Sequence, residues 1–198
     1  MRDLNQLIIE FDFEKNFKDL DFYVSKSNQN VFSLIDNWPK WEKKYLNISG
    51  EKFSGKTHLV NIFLERNNGY KILAKDINNK HLSQIKIYEN IIIEDLDENV
   101  DEKLLYSLIN IVDLENKYLI ITSKIPVVEI SFKLKDLLSR SKNFILSSIS
   151  NPDDELMFAL ILKNLSDRQI SLDKKLINYI IKRIDRSYSK ISEFIYKI

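Results

Sequence analysis

Gly50-Glu51-Lys52-Phe53-Ser54-Gly55-Lys56-Thr57 fits the pattern G-x-x-x-x-G-K-[ST] at every position. The residue types answer to one chemistry. Glycines let the chain bend until successive N–H groups face an anion, the lysine reaches terminal phosphate oxygens, and the threonine hydroxyl ligates Mg2+. The chain has only three glycines in 198 residues, so its own composition produces this pattern by chance in roughly one such sequence in two thousand. Ile91-Ile92-Ile93-Glu94-Asp95 then sets two carboxylates at the end of an apolar run. At the carboxyl edge of a sheet, Glu94 suits a metal role through water and Asp95 suits orienting a water. The alternative is a strand running into a solvated acidic turn with Asp97 and Glu98. The order Glu-Asp puts the longer carboxylate on the metal side, which favours binding over fast turnover.

The elements that must hold these residues follow from the apolar pattern. Tyr45–Ser49 reads as a strand and Lys56–Arg66 as a helix with Leu59, Ile62 and Phe63 on one face. That places the glycine-rich loop between a strand end and a helix N-terminus, whose dipole favours anions. Gly69 is expected to close the helix. Further strands are expected at Tyr70–Ala74, Asn90–Glu94, Tyr118–Thr122 and Phe144–Ile149, with helices at Asp101–Leu114 and near Lys133–Ser141. Short Ile-rich runs alternating with helices predict an α/β fold with a five-stranded parallel sheet covered on both faces. Before this body, Asn28 is expected to cap a helix through Asp36, with residues 1–27 irregular apart from the alternating patch Gln6–Phe11. After Ser150 the pattern is wholly helical: Glu155–Asp167, Lys174–Ile184 and Lys190–Ile198, with Asn151 as cap and Pro152 at the first helical position. The expected division is 1–27, 28–150 and 151–198.

Composition excludes several alternatives. Thirty basic against 29 acidic residues give a net charge of +1, so no global field recruits nucleic acid. Without cysteine, disulfides, thiolate metal sites and cysteine nucleophiles are absent, and a reducing cytoplasm fits. Two histidines, His58 and His81, do not make a histidine-built metal site. No apolar run reaches the ~18–20 residues of a membrane helix, and the N-terminus lacks the features of a signal peptide. A hydrophobic fraction of 44% supplies a core. Lysines outnumber arginines 24 to 6, which reads as mutational bias and makes each retained arginine informative.

With these motifs in place, the chain resembles the Hda family, the DnaA-related AAA+ proteins that inactivate the replication initiator DnaA. The resemblance is carried by Gln6-Leu7-Ile8-Ile9-Glu10-Phe11, by GEKFSGKTHL and IIIEDLD, by Leu137-Leu138-Ser139-Arg140, and by NPDDEL, SDRQISLD and IKRIDRSYSK. It implies an AAA+ core with a C-terminal helical lid, without a helix-turn-helix DNA-binding domain. Nucleotide, ADP or ATP with Mg2+, is then held by Gly50, Glu51, Lys52, Phe53, Ser54, Gly55, Lys56, Thr57 and His58, with Lys190 from the lid and Thr57, Glu94 and Asp95 on the metal side. Gln6, Leu7, Ile9 and Phe11 would dock on the DNA polymerase III sliding clamp (beta), the apolar side chains filling a cleft and Gln6 a polar pocket. An edge strand is the alternative reading of that patch.

Arg140 would be a trans arginine finger, a role that needs a planar, always-charged fork. A structural ion pair with Asp136 one turn earlier is the alternative. Two departures from the family pattern bear on turnover. Thr122-Ser123-Lys124 lacks the Asn or Asp of active AAA+ ATPases, and the lid sensor arginine is replaced by Lys190, preceded by Arg186. The implied function is a nucleotide-bound negative regulator of replication initiation with weak or no ATPase of its own. It would meet DNA only indirectly, work in the cytoplasm at the replisome, and leave monomer and homodimer both open. An autonomous P-loop ATPase of helicase-loader or initiator type is the competing expectation.

Overall fold

A computed structural model describes residues 22–197. Along the chain run α1 (Gln29–Asp36), β1 (Tyr45–Ser49), α2 (Lys56–Arg66), β2 (Gly69–Leu73), α3 (Asn79–Gln84), β3 (Asn90–Leu96), α4 (Glu102–Leu114), β4 (Tyr118–Ser123), α5 (Lys135–Ser141) and β5 (Ile145–Ser148). Three more helices follow, α6 (Asp154–Asp167), α7 (Lys174–Ile181) and α8 (Tyr188–Lys197). The five strands are all parallel, in the order β2-β3-β4-β1-β5. The order places β1 between β4 and β5, so the loop after β1 opens beside the ends of both neighbours.

Ile91, Ile92 and Ile93 show why the sheet is covered twice. β-Branched side chains suit the pleat and alternate between faces. Ile91 and Ile93 enter one apolar cluster with α4 and α5, through Leu105, Leu108, Val112 and Leu137. Ile92 enters the other with α1 and α2, through Val31, Ile35, Leu59 and Phe63. A third cluster, built on Met157, Ile161, Ile177, Ile181 and Ile191, makes the lid a small core of its own. Behind α2, Trp38 and Trp41 meet Phe63 and Tyr118 in an aromatic group, and Trp41 donates its ring N–H to Leu34 O at 2.7 Å.

Several expected details change. Gly69 does not close α2; Asn67 ends that helix, and Gly69 is already the first residue of β2. A Cβ there would lie 2.8 Å from Leu64 Cδ2 and 3.0 Å from Ile92 Cδ1, so close packing explains the glycine. Asn28 precedes α1 without capping it: its side chain accepts from Ser25 N–H and donates to Tyr23 O, folding the preceding segment onto the core. Asp153, not Asn151, caps α6, accepting from Leu156 N–H at 2.8 Å, and Pro152 lies outside the helix. The carboxylate at that place also complements the helix dipole. β3 runs past Glu94 to Leu96 through an irregularity at Asp95, and α3 was not anticipated. Gln6, Leu7, Ile9 and Phe11 lie outside the described residues.

Candidate functional site

The loop leaves β1 at Ser49 and enters α2 at Lys56. Gly55 has φ +95°, a left-handed conformation that glycine adopts without penalty. Phe53, at φ 69°, is a bulky residue in the same region, and its ring is 58% exposed. Gly50 accepts no side chain cheaply, since a Cβ would meet Ser54 Oγ at 2.9 Å and Ile149 Cβ at 3.2 Å. Lys56 is buried and donates Nζ to Gly50 O and Glu51 O, each at 2.9 Å. Burial lowers its pKa, and the carboxylates of Asp95, Glu51 and Glu94 pull it back toward the charged form. A buried lysine flanked by carboxylates, glycine-shaped backbone and the N-terminus of an 11-residue helix thus converge on one spot. Thr57 is exposed on the first turn of α2, open to a ligand.

Across from the loop, Glu94 is buried at 3% exposure, and its Oε1 has no hydrogen-bond partner. Its Oε2 lies 3.3 Å from Lys71 Nζ. Asp95 is exposed, at φ 54° in the region that Asn and Asp tolerate best, and its N–H donates to Thr122 Oγ1 at 2.9 Å. Thr122 is fully buried, so the end of β4 sets the angle at which Asp95 leaves the sheet. Among the described residues no group of three acidic or histidine side chains could hold a metal alone. A phosphate-bound Mg2+ needs fewer protein ligands, and the Thr57 hydroxyl with the free oxygen of Glu94 fits that requirement.

Three positions that sequence reasoning did not single out organise the site. Asn47, fully buried in β1, donates Nδ2 to Ile121 O and Ser123 Oγ and accepts from Val127 N–H at 2.8 Å, which fixes the turn after β4. Phe22 lies against Gly55 and meets the His58 ring edge-on at 5.4 Å, so the segment before α1 walls one side of the loop. Tyr188, at the start of α8, is buried in the core cluster and donates its hydroxyl to Ser150 O at 3.1 Å. A polar type within an apolar stretch was the available signal for Asn47; Tyr188, among polar neighbours, and Phe22 carried none.

Glu51 connects loop and lid. Its Oε1 accepts from Ser187 Oγ at 2.7 Å and Ser189 N–H at 3.2 Å, while Oε2 accepts from Tyr188 N–H at 2.9 Å. A loop side chain therefore caps the N-terminus of a lid helix from across the molecule. Burial works against its ionisation, but the hydrogen bonds from Ser189, Ser187 and Tyr188 outweigh that and hold its carboxyl below the usual range. Tyr23 adds a second tie, donating to Glu155 Oε1 at 2.6 Å; burial and that carboxylate push its hydroxyl up to about 12. Lys190 sits on the exposed side of α8, paired with Glu193 at 3.2 Å, and Arg186 pairs with Asp154 at 2.9 Å. Lys52 lies over the Phe53 ring at 5.0 Å.

Arg140 stands elsewhere. It lies in the last turn of α5, and it pairs with Asp113 of α4 and not with Asp136. Its second nitrogen donates to Asn110 Oδ1, and the guanidinium stacks on Tyr106 at 5.4 Å. Tyr45 donates to the other oxygen of Asp113. Burial opposes the charge of Arg140, but Asp113 more than restores it and raises its pKa. Tyr45 is the first residue of β1 and the glycine-rich loop follows the last, so Arg140 lies at the opposite edge of the sheet from that loop.

The fold has counterparts among solved structures. The model superposes on AMPPCP-bound DnaA from Aquifex aeolicus with a TM-score of 0.73 at 18% identity, covering 89% of this chain and 63% of that one. The chain has a DnaA-like AAA+ fold. Domain III of the Thermotoga maritima replication initiation protein DnaA gives a TM-score of 0.69 at 18% identity, covering 89% of this chain and 84% of that one. In sequence, the chain is 25% identical over 189 residues to the chromosomal replication initiator protein DnaA of Helicobacter hepaticus, covering 83% of this chain. The DnaA-like region spans 41% of that initiator's length. No family model matches the chain. No described helix is long and apolar enough to cross a membrane.

Proposed function

We propose that this chain is a nucleotide-holding AAA+ regulator that acts on DnaA-bound ATP. The observation that carries the reading is the placement of Arg140 at the sheet edge opposite its own phosphate loop. From there it serves a nucleotide held by another molecule and not its own. Asp113, Asn110 and Tyr106 hold the guanidinium in a fixed orientation, the preorganisation that a finger needs. Its donors would meet the charge that develops on a transferring phosphoryl group, a contribution of about 10³–10⁵ in rate where such fingers operate in trans.

On its own side, Gly50–Thr57 with His58 would hold the phosphates of ADP or ATP. Lys56 would supply the neutralising ammonium, and Lys190, in the first turn of α8, would reach the nucleotide from the lid. Bound Mg2+ would add charge compensation at the phosphates, with Thr57 and Glu94 as its protein ligands and Asp95 beside them. The end of β4, Thr122-Ser123-Lys124, carries no Asn or Asp of the kind that hydrolytic members use, which favours retention of nucleotide over its turnover. Gln6, Leu7, Ile9 and Phe11 would dock on the sliding clamp and concentrate the regulator near DNA-loaded initiator. The parts so assigned are the docking segment 1–27, the core 28–150 and the lid 151–198, working in the cytoplasm.

The experiment is hydrolysis of DnaA-bound ATP with purified chain, clamp and DNA. Stimulation that Arg140→Ala removes is the expected result. No stimulation, or equal stimulation by the variant, refutes the reading. Turnover by this chain alone, abolished by Lys56→Ala, would support an autonomous ATPase instead.

A further inference from the structure

Lys71 and Glu94 belong to adjacent strands, and the register Lys71↔Ile92 and Leu73↔Glu94 makes them diagonal neighbours. Ile72 and Ile93 both enter the cluster on the α4 side, so Lys71 and Glu94 share the other face, beneath α2. Long side chains reach each other across such a diagonal. Lys71 Nζ lies 3.3 Å from Glu94 Oε2 and donates to Asn61 Oδ1 of α2 at 3.0 Å. The Glu94 side chain is 4% exposed and that of Lys71 37% exposed. A buried carboxylate stays ionised only with a compensating charge, and here the compensation comes from the protein.

That changes what a divalent cation contributes. An unpaired carboxylate beside the phosphate loop repels incoming phosphates, and a divalent ion removes the repulsion by binding both. Here an ammonium already neutralises Glu94, while Lys56 stands at the loop. We propose that Lys71 does the electrostatic work of the divalent cation at Glu94, so that a nucleoside diphosphate binds with little dependence on Mg2+. The inference rests on the nucleotide-binding reading of Gly50–Thr57, and it assigns to that site a ligand class: a nucleoside diphosphate held with or without the divalent metal that the open oxygen of Glu94 can still accept.

The test is equilibrium binding of a fluorescent ADP analogue to the full chain, in excess magnesium and in excess EDTA. For the natural chain the two dissociation constants should agree within about threefold, because the buried charge is already paired. Lys71→Met keeps the aliphatic stem and should weaken binding in EDTA about tenfold or more while magnesium restores it. Lys71→Arg keeps the charge and should remain insensitive, which covers the case in which the methionine variant fails to fold. The double variant Lys71→Met/Glu94→Gln removes both charges and should regain binding in EDTA. Binding by the natural chain in magnesium alone, or an unchanged ratio in Lys71→Met, overturns the role of Lys71 and leaves the nucleotide reading standing. No binding in either buffer overturns the nucleotide reading itself.

Discussion

Removing the Glu51 carboxylate should loosen the lid without unfolding the core. Three hydrogen bonds converge on it, two from backbone N–H groups at the start of α8. Hydrogen bonds to a charged group contribute about 1.5–3 kcal/mol each, net of water. They share one carboxylate, and Glu51 is partly exposed, so screening reduces the sum to about 1–3 kcal/mol. That range corresponds to a shift of about 5–150-fold in an equilibrium between docked and released α8. Hydrogen exchange at the Tyr188 and Ser189 amides reads it directly. In Glu51→Ala these amides should exchange faster by that factor, while Ile120 and Ile121 in β4 keep their protection. Glu51→Gln retains an acceptor and should fall between. Unchanged exchange at Tyr188 and Ser189, or equal acceleration in β4, would refute the idea that Glu51 is what fastens lid to loop.

The same contact has a pH signature. The Glu51 pKa is depressed in the folded state, so its contribution is present above the ordinary carboxylate value of 4.5 and is lost as pH falls through the lower folded value; exchange at Tyr188 followed from pH 7 downward should show it. Lys56→Ala should abolish detectable ADP binding by calorimetry while thermal stability holds or rises, since burial already disfavours the charged amine. Asn47→Leu leaves Val127 N–H without its acceptor and should cost about 1–3 kcal/mol, a fall of about 2–12 °C in Tm at about 2–4 °C per kcal/mol, measured by calorimetric melting. Asp113→Ala strips Arg140 of its charge partner and Tyr45 of its acceptor; stimulation of DnaA-bound ATP hydrolysis should drop about tenfold or more while the guanidinium itself remains.

The sheet was legible because its evidence is local. Ile91–Ile93 must be a strand with both faces covered, and a glycine-lysine-threonine sequence between strand and helix has one physical reading. What escaped lies in long-range partners. Nothing near Glu51 in sequence announces that its acceptors will be filled from Ser187, Tyr188 and Ser189, and the local rule that offered Asp136 to Arg140 loses to Asp113 on a neighbouring helix. α3 has no buried residue, so it lacks the apolar period that reveals longer helices. Gly69 was assigned by its place after a helix, whereas Leu64 and Ile92 crowd it for a reason visible only in three dimensions.

Both tryptophans of the chain, Trp38 and Trp41, sit against Phe63 and Tyr118 behind α2. The lid helices carry none. Intrinsic tryptophan emission therefore reports the sheet and its α1–α2 layer and is silent on the lid, whose aromatic reporters are tyrosines such as Tyr179 and Tyr188. A denaturation curve followed at tryptophan wavelengths and one followed by far-ultraviolet circular dichroism, which weighs every helix, will coincide only if lid and core unfold together. The separation between those two curves is a ready optical gauge of how firmly the phosphate loop grips the lid, with no label introduced.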